Sequence, residues 1–254
     1  MRPRRTEISA QTEKCCLTRQ TGRVEFVGQW WQRVIAVDVP LSAVSGWLVF
    51  AVAAALVVVA WPLTRTVVTI CHEAGHAVAA VLVGRRLAGI RVHSDTSGLT
   101  VSRGRPRGPG MVFMLFAGYA SASLIGLGVA LLAWAGRSSA ALWLMVVLLA
   151  LMLLRMRNFY GALVVLATGA ALALASWFAP APVLVWLAYV VAWTLLLAGP
   201  RPVLEVAGNR SPGTDGAQLA KLTRVPRVLW VLAWLLVDVG VLLAGGWLLL
   251  PWGR

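Results

Sequence analysis

His72, Glu73 and His76 lie close together in a segment, residues 66–84, that is otherwise apolar enough for a bilayer. The two histidines are four positions apart, so on an α-helix both imidazoles project from one face, a turn apart. This spacing suits two neighbouring ligands of a tetrahedral zinc ion, with Glu73 beside them to take a proton from water. Ionisable groups are costly within lipid and are functional by default. We therefore predict a metal site here, with Glu73 as its base.

Two carboxylates compete to be the third metal ligand, which is needed because catalytic zinc sites have three protein ligands and an open position. Asp238 lies near the middle of an apolar segment, at a depth similar to that of the histidines, and a buried acid of this kind needs a partner. Asp215 lies in a polar segment and would have to reach inward through a re-entrant or broken helix. Depth in the membrane alone favours Asp238 as the third ligand.

The composition is that of a multi-pass membrane protein. The 254-residue chain is 59% hydrophobic and 13% charged, with a mean hydropathy of +0.80, whereas soluble domains are about half apolar and about one quarter charged. A net charge of +14 would suggest nucleic-acid binding in a soluble protein. Here the arginines lie in short segments between apolar runs, which indicates orientation in a membrane. We predict an all-α polytopic membrane protein that contacts the lipid bilayer and no nucleic acid.

Apolar runs of sufficient length predict about seven transmembrane helices. A basic N-terminal tail, residues 1–42, precedes a transmembrane domain, residues 43–254. The predicted spans are residues 43–61, 66–84, 111–136, 140–155, 159–178, 183–199 and 228–250.

The distribution of basic residues predicts how these spans are oriented. With the N-terminus in the cytoplasm, segments 1–42, 85–110, 155–158 and 200–227 are cytoplasmic and carry twenty Lys and Arg residues, against three on the opposite side. Cytoplasmic loops are typically enriched in these residues. We therefore predict a protein of the cytoplasmic membrane with a cytoplasmic N-terminus.

A small β-hairpin is predicted on the cytoplasmic side, after the second span. Residues 89–102 alternate apolar and polar side chains on either side of a turn rich in Asp, Ser and Gly, which is typical of a hairpin. An exposed strand edge can pair with an extended peptide. The hairpin is therefore a candidate binding site for a substrate.

The histidine motif, the hairpin and a distant Asp-Gly pair resemble the site-2-protease class of intramembrane zinc metalloproteases, and in particular a compact bacterial branch. The downstream match is residues 209–216, where an Asn, a Pro and an Asp-Gly follow one another in the family's order. The resemblance implies that Asp215 is the third zinc ligand, and for this reason we predict Asp215 over Asp238. The chain departs from the family in a shorter Pro-to-Asp spacing and in Thr214, where an aliphatic residue is usual.

The resemblance implies an intramembrane zinc endopeptidase that cleaves transmembrane segments in regulated intramembrane proteolysis. Its substrates would be single-span membrane proteins, including ones already trimmed by another protease. An amide donor would stabilise the oxyanion. Asn209 is the positional match to the family's asparagine, and Asn158, at the start of the fifth predicted span, is an alternative.

Two other functions are alternatives to the endopeptidase. An inactive member of the same fold would act as a membrane scaffold, but intact His72, Glu73 and His76 argue against it. A metal transporter would need exchangeable ligands and a path for the ion, and the sequence has no His- or Cys-rich entry loop. The endopeptidase is therefore the predicted function.

Overall fold

The structure is a computed structural model and describes residues 28–39, 41–209 and 211–250. These residues form a mostly helical bundle with one two-stranded sheet. A short helical segment at residues 28–35 comes first. The elements that follow are α1 (Ala43–Val59), α2 (Trp61–Leu82), β1 (Arg86–Val92), β2 (Gly98–Arg103), α3 (Pro109–Trp134), α4 (Ser138–Leu153), α5 (Phe159–Phe178), α6 (Ala181–Ala198), α7 (Pro200–Gly208), α8 (Asp215–Thr223) and α9 (Arg227–Leu249).

Four candidate membrane spans are found in the described part of the chain: α3, α5, α6 with α7, and α9. A fifth is formed by α1 and α2 if this pair, bent by 96°, counts as one broken span. The break comes where Pro62 lies in the first turn of α2, because proline has no N–H to continue the hydrogen bonding of the helix before it. The remaining apolar helix, α4, has 16 residues and a length of about 24 Å.

The start of the described chain does not fit seven alternating spans. The Asp38 backbone N–H donates to the Gly136 carbonyl at 2.8 Å, and the Asp38 carboxylate accepts from the Ser138 N–H at 2.8 Å. Residues 28–38 therefore lie at the same end of the bundle as the connection between α3 and α4. The predicted topology placed these two segments on opposite sides of the membrane. Counting the bent pair α1 and α2 as one broken span, where hydropathy counts two, removes this difference.

The hairpin after α2 is an antiparallel pair of strands, β1 and β2. Ile90 and Val92 are buried, 1% and 0% exposed, as their alternation with polar residues predicts. At the turn, the hydroxyl and N–H of Ser97 donate to the Asp95 carboxylate, and these hydrogen bonds lower the pKa of this exposed carboxyl. The side of the membrane on which the hairpin lies stays a prediction.

The helix that carries the two histidines packs closely along α3. A Cβ at Gly75 would lie 2.5 Å from Ser121 Cβ and 2.7 Å from the Ala117 carbonyl oxygen, so only glycine allows this approach. The Ser121 hydroxyl also donates to the Cys71 carbonyl at 2.7 Å. Because α3 also packs against α6 and α9, it fixes the position of α2 relative to the rest of the bundle.

Candidate metal centre

Three ligand atoms from α2 and α8 meet beside a cavity. His72 Nε2 and His76 Nε2 are 3.0 Å apart, and Asp215 Oδ2 lies 3.2 Å from each of them. His76 is buried, and His72 and Asp215 are partly buried. Among the described residues, these three form the group of histidine and acidic side chains that is placed to hold a metal ion.

The separations between these atoms fit a zinc ion. In a tetrahedral site with bonds of about 2.0–2.2 Å, neighbouring ligand atoms lie roughly 3.3–3.6 Å apart. The observed separations of 3.0 and 3.2 Å are close to this range, and a point about 2 Å from all three atoms lies roughly 1 Å outside their plane. Two imidazoles and one carboxylate are also a donor set found in catalytic zinc sites.

The contact between α2 and α3 sets the tautomer of one ligand. His76 Nδ1 lies 2.7 Å from the Met114 carbonyl oxygen, which only accepts hydrogen bonds, so Nδ1 carries the proton. The lone pair of Nε2 is then free, on the side of His72 and Asp215. A backbone acceptor behind a ligating histidine is typical of metal sites, because it orients the ring and raises its basicity.

Asp215 reaches the histidines because α8, a short helix outside the candidate spans, begins at this residue. Thr214 caps the helix by accepting a hydrogen bond from the Ala217 N–H at 3.3 Å, which satisfies one of the free donors of the first turn. Burial raises the pKa of the Asp215 carboxyl, but the interactions with the adjacent His72 and His76 outweigh it and hold this pKa well below its usual range. The carboxylate is therefore in the ionised form that metal binding requires.

Asp238, the alternative ligand, is not part of this group. It lies in α9, is fully buried, and neither carboxylate oxygen has a hydrogen-bond partner among the described residues. Depth favoured Asp238 because residues 200–227 form a polar segment in the sequence, which would have to reach inward. In the structure α8 packs against α3, and this packing brings Asp215, and not Asp238, to the histidines.

Glu73 lies beside the three ligands but is not one of them. Its side chain is buried, and Oε2 accepts a hydrogen bond from Thr100 Oγ1 at 2.5 Å. A Cβ at Gly98 would overlap the Glu73 carboxylate, so β2 packs directly against this group. The hairpin therefore holds the predicted base from one side.

A cavity of about 590 Å³ connects these groups, a size typical of ligand-binding clefts. The three ligands and Glu73 line it, together with the hairpin, α3, α7, Asn209 and residues 211–214. Two further charged residues of the lining, Arg65 of α2 and Glu205 of α7, form an ion pair at 3.2 Å. The cavity is therefore polar on the side of α2.

The two asparagines predicted as oxyanion donors lie in different places. Asn209 lines the cavity, and its side-chain oxygen accepts from the Ser211 N–H at 2.9 Å. Asn158 is not among the residues of the cavity. Its side chain donates to the Val92 carbonyl at 2.6 Å and accepts from the Val92 N–H at 3.2 Å. Asn158 thus binds the edge of β1, and the structure does not bring it to the metal ligands.

Sequence reasoning missed two residues of α3 that form the wall behind the histidines. The Tyr119 ring packs edge-on against His72, and Trp234 contacts the Tyr119 ring in turn, with ring centroids 4.6 Å apart in both pairs. A Cβ at Gly118 would lie 2.5 Å from His76 Nε2 and 2.8 Å from His72 Cε1. No spacing in the sequence pairs these positions with the histidines, because the contact depends on how α2 and α3 pack.

Replacing Gly118 with Ala is expected to weaken zinc binding by at least about tenfold, because the added methyl group must displace both imidazoles. Competition with a chromophoric chelator measures the zinc affinity of the purified protein. Gly128→Ala, in the same helix, is the matched control, since a Cβ there meets no atom within 4 Å. Equal affinities for the two variants would mean that the imidazoles can shift without cost.

Comparison with known proteins identifies the family of this chain. No curated protein and no solved structure was found to match it. The model of the Peptidase M50B-like family matches residues 46–245, which run from α1 into α9. Because this match covers most of the chain, the protein belongs to the Peptidase M50B-like family of site-2-protease metallopeptidases.

Proposed function

We propose that the protein is a zinc-dependent endopeptidase that cleaves transmembrane segments of other membrane proteins. The observation that carries the proposal is the meeting of two imidazoles and a carboxylate, 3.0 to 3.2 Å apart, at a cavity that Glu73 also lines. Three protein ligands, an open fourth position and a nearby acid are the parts of a metal-dependent hydrolase. Membership of a metallopeptidase family supports the same chemistry.

In this proposal His72, His76 and Asp215 hold the zinc ion. When bound, the ion acts as a Lewis acid that polarises the scissile carbonyl and lowers the pKa of a water molecule. Glu73 takes the proton of the attacking water and later gives it to the leaving amine. Because Thr100 donates to Oε2 of Glu73, Oε1 is the oxygen left to receive the proton.

The outer edge of β2 is proposed to bind the substrate backbone. Ile90 of β1 donates its N–H to the Arg155 carbonyl and accepts from the Arg157 N–H, so both groups point away from β2. In an antiparallel pair, the residue opposite such a residue also points its backbone N–H and C=O away from the partner strand. Thr100 is opposite Ile90, so its N–H and C=O point to the outer edge of β2. Thr100 also lines the cavity. An extended peptide paired with this edge would pass beside Glu73.

Pairing of this kind requires a substrate that can unwind. A transmembrane helix satisfies its own backbone hydrogen bonds, so it must open locally before it can pair with β2. Single-span proteins, including those already shortened by another protease, meet this requirement because no further spans hold the helix in place. Asn209, on the cavity wall, is proposed to stabilise the oxyanion with its amide N–H.

Cleavage of a synthetic single-span peptide by the purified protein, reconstituted in lipid, tests the proposed function. Mass spectrometry of the products locates the cut. Cleavage within the span that stops with a chelator and resumes with zinc supports the proposal. An uncut peptide in the presence of zinc-loaded protein contradicts it and favours an inactive scaffold of the same fold.

We also propose six crossings in place of the seven predicted, with the hairpin in the cytoplasm. The pair α1 and α2 crosses the membrane once. The short helix α4 also crosses it, because this helix joins opposite ends of the bundle. Segments 85–110, 155–158 and 200–227, at the hairpin end, carry thirteen of the 23 Lys and Arg residues of the chain. The excess of basic residues on the cytoplasmic side of membrane proteins then places residue 28 outside.

Cysteine labelling of intact cells is expected to report this orientation. Gln32→Cys and Ser97→Cys, both at exposed positions, are introduced separately into a chain from which the three native cysteines have been removed. A membrane-impermeant maleimide should label Gln32→Cys in intact cells and Ser97→Cys only after the cells are opened. Labelling of both from one side would contradict the six-span topology.

A further inference from the structure

An exposed basic surface covers the hairpin and the segments next to it, and the metal site makes no use of it. We call these residues the arginine surface; all are exposed: Arg86, Arg91, Arg103, Arg105, Arg107, Arg155 and Arg157. None of them forms an ion pair with an acidic side chain among the described residues. Their charge is therefore available to an external partner.

Two arginines of this surface repel each other within the sheet. Arg86 of β1 lies opposite Arg103 of β2 in the strand register, and like charges in this position destabilise a sheet. The acidic residue of the hairpin, Asp95, lies at the far turn, where its carboxylate accepts from the Ser97 N–H at 2.9 Å. An anion bound between the two guanidinium groups would remove the repulsion and form charge-assisted hydrogen bonds.

The same face of the hairpin also exposes aliphatic side chains. Val101 is 43% exposed and lies opposite Gly89, and Leu99, which also lines the cavity, is 49% exposed and lies opposite Arg91. The other face buries Ile90, which is 1% exposed. A face that mixes guanidinium groups with aliphatic side chains suits the headgroup region of a bilayer, where phosphates and acyl chains are both within reach.

The position of the hairpin in the chain keeps it at the membrane surface. β1 begins at Arg86, shortly after α2 ends at Leu82, and β2 ends at Arg103, shortly before α3 begins at Pro109. We propose that the arginine surface binds the headgroups of anionic phospholipids in the surrounding bilayer. This inference concerns the outer face of the hairpin and does not depend on the proposed peptidase activity.

Native mass spectrometry of the full-length protein in detergent tests the proposal, with phosphatidylglycerol and phosphatidylcholine as the two probes. The hairpin variant is Arg86→Gln with Arg103→Gln. The matched control, Lys221→Gln with Arg224→Gln, removes the same charge from exposed positions in and after α8. The wild type should bind phosphatidylglycerol in preference to phosphatidylcholine, and the hairpin variant should bind it about tenfold more weakly, while the control keeps wild-type affinity.

Thermal unfolding in detergent without lipid separates loss of binding from loss of folding. The hairpin variant should unfold at the wild-type temperature or above, because it lacks the repulsion between Arg86 and Arg103. Added phosphatidylglycerol should raise the unfolding temperature of the wild type and leave the hairpin variant nearly unchanged. Equal binding of the two lipids by the wild type, or equal losses in the two double variants, would overturn the proposal.

Discussion

Replacing Glu73 with Gln should lower kcat/KM for peptide cleavage by about 10²- to 10⁴-fold, the contribution typical of a general base. Glutamine has the same shape and can still accept the hydrogen bond from Thr100, but its amide cannot take a proton from water. Glu73 is not one of the three grouped ligands, so bound zinc should stay at the wild-type amount. Kinetics with the single-span peptide and metal analysis of the same preparation measure both quantities.

Glu205→Gln is the matched control for this experiment, because Glu205 is another carboxylate of the same cavity. Loss of the Glu205 charge breaks an ion pair with Arg65 in which both side chains are more than a third exposed. Such exposed ion pairs contribute little to stability. We expect less than about a tenfold change in kcat/KM for this variant. Cleavage by Glu73→Gln at the wild-type rate would exclude Glu73 as the base.

Replacing Asp215 with Ala should remove zinc from the purified protein, with a loss of affinity of at least about 100-fold. Two imidazoles would then hold the ion with one protein ligand too few for a catalytic site. The variant should also fail to cleave the peptide, because the remaining ligands cannot keep the ion in place. Equilibrium dialysis against buffered zinc, followed by metal analysis, measures the change in affinity.

Asp238→Asn is the control, since this acid is also remote in the sequence from the histidines but lies outside the three-residue group. Its carboxylate is fully buried, and the amide has almost the same volume, so zinc affinity should stay within about threefold of the wild type. A zinc-loaded Asp215→Ala protein beside a zinc-free Asp238→Asn protein would reverse the assignment of the third ligand.

The pair of histidines could be predicted from the sequence because a four-residue spacing fixes the relative direction of two side chains on any α-helix. The third ligand could not be predicted in this way. Depth in the membrane favoured Asp238, and only the family resemblance pointed to Asp215. The carboxylate of Asp215 depends on the packing of α8, a helix of 9 residues, against α3, and no local pattern reveals such a contact.

The path of the chain between α1 and α2 depends on a bend that the sequence pattern does not contain. α1 and α2 have 17 and 22 residues, so each is apolar and long enough to suggest a span of its own. Hydropathy measures the length of an apolar run and carries no information on its direction, so it cannot reveal the 96° bend between the two helices. Gly118 and Tyr119 were missed for a related reason, because their role depends on the partner helix.

The two edges of the hairpin differ in a way that limits assembly. Ile90 and Val92 direct their outward N–H and C=O groups to the chain at residues 155–158, so no strand can join β1. Endless ribbons, such as those of amyloid fibrils, grow only from units that are open on both sides. Among the described residues only the β2 edge of this hairpin is open, so copies of the protein cannot join edge to edge beyond a pair, and the hairpin should not seed fibres.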